Sequence, residues 1–293
     1  MVSPSSFGFN EEAFLSNKFQ EKSEDNYLET QEKAKIEFDT AVEKLKSLHI
    51  KIIVSHNSKT KNLPDEIFPN NWISTHQNGF LITYPMFVSN RRAERNNELV
   101  SRLCKEKKYT HLDYSNYENK QQYLEGTGSI IFDHKNKKAY ACESPRTSVA
   151  LFKKVVENLG YTPVTFKAYG REKELIYHTN VMLTIGEDFI LIGSKTIQNE
   201  DRERVLNSFV GSGKKIIELS NEQVYNSFAG NMLQVENNKG ERILVLSETA
   251  YKSLNEDQVK VLKKYNQLFC VLVIPTIEKI GGGSARCMLA EIF

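Results

Sequence analysis

The chain has 293 residues, 39 basic and 37 acidic side chains, a formal net charge of +2 and 40% hydrophobic residues. That length holds one large or two small domains with a substantial core, and the near-balanced charge excludes a global pull toward nucleic acid or anionic lipid. No apolar run approaches the ~20 residues of a membrane helix, the opening MVSPSSFGFNEE lacks the basic-then-apolar order of a signal peptide, and Cys104, Cys142, Cys270 and Cys287 form no CxxC pair. A cytoplasmic protein with free thiols is the expectation. The histidines show no HExxH spacing, so no metal site is expected.

In chain order, residues 31–49 read as a helix and 51–56 as a strand. Residues 72–85 then read as two strands, 91–106 as a helix and 108–113 as a strand. The same order of strand, strand, helix, strand returns at 129–145, 148–160 and 161–166, where Val149, Leu151, Val155 and Leu159 fall near a helical period closed by Gly160. It returns at 180–194, 203–213 and 214–219, and once more at 231–247, 255–266 and 270–275. Residues 285–293 look like one further opening strand, which with 31–56 makes a fifth unit split between the two ends. The expected class is α/β, one pseudo-symmetric domain over residues 1–293 that closes head to tail.

Polar, chemistry-bearing residues recur where each unit opens. Cys287 follows Gly281, Gly282 and Gly283, beside Arg286. Glycines let a ligand approach the backbone, and a neighbouring cation favours a thiolate. A free cysteine is otherwise most often a small buried hydrophobe. His178 precedes the third unit at the matching place, and an imidazole suits proton transfer near neutrality. Glu125, next to Gly126 and Gly128, precedes the second and has a carboxylate able to bind a planar N–H group or orient an imidazole. Asn71 and His76 mark the first unit, and Gly230, Asn231 and Gln234 the fourth. Arg91, Arg92 and Arg95 cluster at a helix start, where cations oppose the helix dipole and a bound acidic group would relieve them. Taken singly, each of these polar residues also reads as an ordinary solvated turn residue.

The segments PSSFGFNEE (4–12), NNWISTHQNGFLITYPM (70–86), NRRAER (90–95), YLEGTGS (123–129), AYACESPRT (139–147), IYHTNVMLTIG (176–186), FAGNMLQV (228–235) and GGGSARCMLAEIF (281–293) resemble the amidinotransferase and arginine deiminase-related (pentein) superfamily. Within it the chain looks most like the citrulline-utilisation hydrolases. The resemblance implies a five-bladed α/β propeller. It implies that Cys287 attacks the substrate carbon, that His178 protonates the departing nitrogen and activates water, and that Glu125 orients substrate or imidazole. Arg286 and the glycine loop would help stabilise developing charge. No metal or organic cofactor is implied, and the partner is a small amino acid bearing a ureido or guanidino group. Neither nucleic acid nor membrane is expected to bind, and pairing into a homodimer is left open.

Departures from the deiminase pattern bear on the substrate. Residues 72–78 (WISTHQN) stand where that family shows an FTRD-like segment, His178-Thr179-Asn180 where it shows HxD, and Glu125-Gly126-Thr127-Gly128 where it shows EGGD. Each loses a carboxylate that a guanidinium would want. The expected reaction is therefore citrulline hydrolysis to ornithine, ammonia and carbon dioxide, with His76, Asn180 and Asn71 at the substrate and Arg92, Arg146 and Asn231 as candidates for its α-carboxylate and α-amine. The alternatives are an arginine deiminase or dimethylarginine-type hydrolase, an amidinotransferase, and last a non-catalytic pentein.

Overall fold

The structure, a computed structural model, describes residues 1–57 and 62–293. Its strands are β1 (Ile73–Thr75), β2 (Phe80–Thr83), β3 (Thr110–Asp113), β4 (Ile131–Asp133), β5 (Lys138–Cys142), β6 (Thr162–Phe166), β7 (Leu183–Ile185), β8 (Phe189–Ile192), β9 (Lys215–Glu218), β10 (Leu233–Glu236), β11 (Arg242–Ser247) and β12 (Leu268–Leu272). They form four three-stranded sheets among the described residues. In each, the first two strands pair antiparallel and the third joins parallel, as in Ile73↔Thr83 and Thr83↔Asp113.

Local chemistry makes this unit. Tight turns join the hairpins. Gly79 takes φ +85 between β1 and β2, and Gly240 takes φ +76 between β10 and β11, a region glycine enters without steric cost. A parallel third strand needs a crossover, supplied in three units by capped helices. Asn96, Ser148 and Asn255 each accept a backbone N–H three residues on, starting Asn97–Lys107, Val149–Asn158 and Glu256–Tyr265. The middle strands are enclosed: Phe189, Ile190, Leu191 and Ile192 of β8 have no exposed surface.

The expected five-bladed closed propeller is corrected. No sheet closes on itself, and the described residues contain no fifth sheet. The reason lies in where the end segments spend their backbone groups. Ser55 N–H donates to Met1 O, and Ser3 N–H to Ser55 O, so residues 51–56 meet the N-terminus in one isolated bridge, Val2↔Ser55. Residues 285–293 are not a strand: Cys287 N–H turns back to Ser284 O, and Leu289 N–H to Arg286 O. Further on, Thr75 Oγ1 donates to Glu291 O and accepts from Phe293 N–H, so a side chain stands where a strand partner was expected.

Helix limits also shift. Residues 90–94 are a 3₁₀ turn (Asn90–Glu94), and the helix expected from 91 begins at Asn97. The long N-terminal helix is Tyr27–Ser47, burying Ala34, Phe38, Ala41, Val42 and Leu45. It packs in one cluster with Ile277 and Ile280 of the helix Pro275–Gly281. Glu37 accepts the N–H groups of Thr276 and Ile277 at that helix's start, satisfying donors that have no partner within the helix.

Candidate active site

The four sheets and the C-terminal segment each open on one short reverse turn. Trp72 N–H returns to Pro69 O, Ile130 to Gly126 O, Met182 to Thr179 O, Asn231 to Phe228 O and Cys287 to Ser284 O. The fifth turn thus persists where the fifth sheet does not. These turns press against one another. A Cβ on Gly126 would lie 2.2 Å from Asn70 O, and one on Gly128 would lie 2.5 Å from Asn71 Nδ2 and 2.8 Å from His178 Nδ1. Only glycine permits that approach.

The turn residues Cys287, His178, Glu125, Asn180 and Asn231 are all at most 3% exposed. His178 Nε2 is 2.8 Å from Glu125 Oε2, which the Arg146 guanidinium also reaches at 3.3 Å. Glu125 Oε1 accepts Phe87 N–H at 3.0 Å. Burial pushes the Glu125 carboxyl up, but Arg146 and the His178 hydrogen bond outweigh it and hold it well below the usual carboxylate range. Burial also lowers His178, to about 4 against the pull of Glu125, so its imidazole is neutral. Nε2–H then donates to the carboxylate, and the lone pair is on Nδ1.

Around Cys287, Asn180 Nδ2 and Asn231 Nδ2 each lie 3.3 Å from Sγ. Asn180 is two residues beyond His178 on one turn, Thr179–Val181, so a single element carries the imidazole and an amide that reaches the sulfur. With Sγ as nucleophile and His178 as proton carrier, such a site can add sulfur to a planar C–N centre and later admit water.

The other expected site residues have these contacts. The Arg286 guanidinium donates to Leu289 O and Glu291 Oε2. His76 lies at the far end of β1 from Asn71, bonded to Ser74 and edge-on to Phe132. Arg92 is half-exposed and donates to Met86 O and Phe87 O, bracing the loop that meets Glu125. Arg146 is buried, bonded to Ala13 O and Ser16 Oγ with its guanidinium over the Tyr177 ring. Asn71 Oδ1 accepts from the buried Arg91 at 2.8 Å.

Asp65 was missed as a candidate from sequence, and Arg91, expected there to bind an acidic group, meets acidic side chains of this chain. Arg91 pairs with Glu94 at 2.8 Å and lies 3.7 Å from Asp65. Asp65 Oδ1 is buried without a partner among the described residues, as are Asn70 Nδ2 and Asn180 Oδ1. The available signal was the acidic pair Asp65 and Glu66 among the apolar residues of the stretch 63–72 (LPDEIFPNNW). No group of three or more potential metal ligands occurs among the described residues.

The profile of the family described as N,N dimethylarginine dimethylhydrolase, eukaryotic, matches residues 3–293. Comparison with curated protein sequences gives no match. Among solved structures, the N-terminal domain of ArgZ, an arginine dihydrolase from the ornithine-ammonia cycle in Cyanobacteria, is similar with a TM-score of 0.73 and 15% identity, over 98% of this chain and 95% of that one. AgrE, solved with L-arginine, gives 0.76 and 14% over 98% of this chain and 39% of its own. A dimethylarginine dimethylaminohydrolase adduct gives 0.60 and 16%, over 90% of each chain. At these identities the structural likeness is one of fold.

Proposed function

The chain belongs to the family described as eukaryotic N,N dimethylarginine dimethylhydrolase, hydrolases of guanidino or ureido C–N bonds, and on that premise we propose that it hydrolyses the guanidino group of arginine or an N-methylated arginine through a covalent adduct on Cys287. The observation that carries this is the meeting of three opening turns, which sets the His178–Glu125 pair and the Cys287 sulfur in one buried site. Sγ forms a bond to the central carbon, the departing nitrogen takes a proton delivered through His178, and the terminal C–N bond breaks, releasing ammonia or a methylamine. Water, losing a proton to His178, then displaces the sulfur and leaves its oxygen on the product as a ureido carbonyl. Glu125, ionised and bonded to Nε2, would keep the imidazole's other nitrogen facing the reaction.

A second reading, hydrolysis of the ureido group of citrulline, is favoured by one observation. Arg91 only donates, so Asn71 must turn Oδ1 toward it and Nδ2 toward Asn70 Oδ1. That leaves Asn70 Nδ2 as a buried donor without a partner among the described residues, and the buried acceptors Asp65 Oδ1 and Asn180 Oδ1 are likewise unpaired there. A ureido group offers a carbonyl and N–H groups and can meet donor and acceptors alike. A guanidinium, with donors only, would leave Asn70 unsatisfied at a cost of about 1–3 kcal/mol.

The test is amino-acid analysis after incubating purified protein with arginine, N,N-dimethylarginine or citrulline, with Cys287→Ala as the blank. Citrulline formed from either guanidine supports the first reading. Ornithine from citrulline supports the second, and activity undiminished in Cys287→Ala overturns both.

A further inference from the structure

We propose that the cavity between the first strands of the sheets is a second binding site, separate from the Cys287 centre, for an apolar carboxylate of the fatty-acid class. The site stands whether or not Cys287 is a nucleophile.

The opening turns hold Cys287, His178 and Glu125 ahead of the first strands. Along those strands, from Leu183 and Leu233 to Gly186 and Glu236, runs a cavity of about 590 Å³. That volume suits a small molecule, and none of Cys287, His178 and Glu125 lines it. Its origin is the missing fifth sheet. Residues 50–54 and 289–293 are in no strand, and Ile50, Ile52 and Ile53 from the first segment and Leu289, Ala290 and Ile292 from the second form part of its wall. Ile52, Ile53, Ile185, Val235 and Ile292 are each half-buried, so the wall presents apolar surface that no segment among the described residues covers. A packed interior leaves no such space, whereas an apolar concavity rimmed by polar side chains is the form of a ligand site.

Charge selects the ligand. Six basic and three acidic side chains line the cavity. Four of the bases already have carboxylate partners: Lys214 meets Asp133 at 3.3 Å, Arg242 and Lys135 meet Asp188 at 2.6 and 3.2 Å, and Arg286 meets Glu291 at 3.1 Å. Lys51 and Lys107 are exposed and have no acceptor among the described residues. Glu187 lies 3.7 Å from Lys135, which leaves Glu236 as the lining acid without a basic partner among the described residues. Two free ammonium groups against one free carboxylate favour an anion. The lysine stems can lie along an apolar body while the ammonium groups meet its charged end. A single carboxylate on an aliphatic chain satisfies both the walls and the rim. A polyanion would find too few free cations, and an amine would meet the excess of positive charge.

The probe is decanoate, titrated by calorimetry into the full chain below its micelle-forming concentration. Saturable binding at one site is expected, roughly tenfold or more tighter than that of decyltrimethylammonium, which has the same chain length and the opposite charge. Lys51→Glu combined with Lys107→Glu should weaken decanoate by roughly tenfold, less at high salt. Val235→Trp, which places a large side chain at the cavity wall, should abolish binding, and Cys287→Ala should leave it unchanged. Absence of saturable binding to the wild type overturns the site. Equal affinity for the two probes, or an unchanged affinity in the double lysine variant, overturns the choice of an anion. Binding lost in Cys287→Ala and kept in Val235→Trp would put decanoate at the catalytic turn and overturn a separate site. If circular dichroism shows Val235→Trp misfolded, the double lysine variant and Cys287→Ala decide, because both lysines are exposed.

Discussion

A buried imidazole makes its mark on stability through the proton it declines. Burial lowers His76 to about 3, whereas an unfolded histidine titrates near ~6.5. Between those values the unfolded chain binds the extra proton, so the His76 contribution is fully present above about pH 6.5 and is lost as pH falls toward 3. At pH 5 the loss is about 1.5 pH units at ~1.36 kcal/mol each, roughly 2 kcal/mol. Glu94, pushed up to about 7 by burial against the pull of Arg91, has the opposite slope, so the effect is read as a difference. The stability gap between wild type and His76→Asn in urea should shift by about 2 kcal/mol between pH 7 and pH 5. An equal gap at both pH values would show that His76 accepts its proton when folded. At this scale the sequence was informative where chemistry is local. Cys287 after three glycines, Glu125 before the turn glycines Gly126 and Gly128, and His178 before a strand all lie on the opening turns. Asp65 was not legible, nor were the acidic partners of Arg91, because their burial follows from the packing of segments 10, 65, 71 and 94, which no local pattern encodes.

Turns rather than strands fix the site, and the glycine beside Asn231 tests this. A Cβ on Gly230 would lie 2.3 Å from Val181 O and 2.7 Å from Met182 Cα, backbone that cannot turn aside. Gly230→Ala should therefore lower stability by about 1–3 kcal/mol. It should also move Asn231 away from Cys287 and abolish turnover. Gly211→Ala is the control: its φ of +78 strains any side chain, yet nothing lies within 4 Å of the new Cβ, so it should destabilise the fold and leave kcat unchanged. Equal kcat in both variants, measured on whichever amino acid proves to be the substrate, would detach the turn from the chemistry. Hairpins and crossovers were legible from alternation, turn residues and caps. The helices Asn221–Ser227, Glu248–Ser253 and Pro275–Gly281 were not. They run only six or seven residues, too few turns to show a period above the noise of adjoining strands.

Over the whole molecule, the unit legible in the sequence is local, whereas closure depends on which chain end wins each backbone partner. Residues 51–56 face the N-terminus, and 285–293 are tied through Thr75, so four sheets form and the fifth position keeps only its turn. That turn carries Cys287, which with His178 and Glu125 is at most 3% exposed, so a substrate must displace something to reach it. Residues 13–19 are in place to be displaced. Arg146 holds Ala13 O and Ser16, Asn17 donates to Gly282 O, and Phe19 packs on Tyr177 and Phe228 at ring distances of 5.9 and 5.5 Å. Phe19 makes the apolar part of this clasp, and its aromatic contacts are worth about 0.5–1.5 kcal/mol each beyond the area they bury. Phe19→Ala should shift the segment toward the open state, raising the rate at which a bulky maleimide labels Cys287 by roughly tenfold, the factor that corresponds to about 1.4 kcal/mol. Labelling is read by mass spectrometry of the Cys287 peptide, with the half-buried Cys104 as the internal reference. If opening limits the reaction, kcat rises with the labelling rate. If the closed clasp also excludes water from the adduct, kcat falls while labelling still rises. An unchanged labelling rate would mean that substrate reaches the sulfur by another face of the molecule.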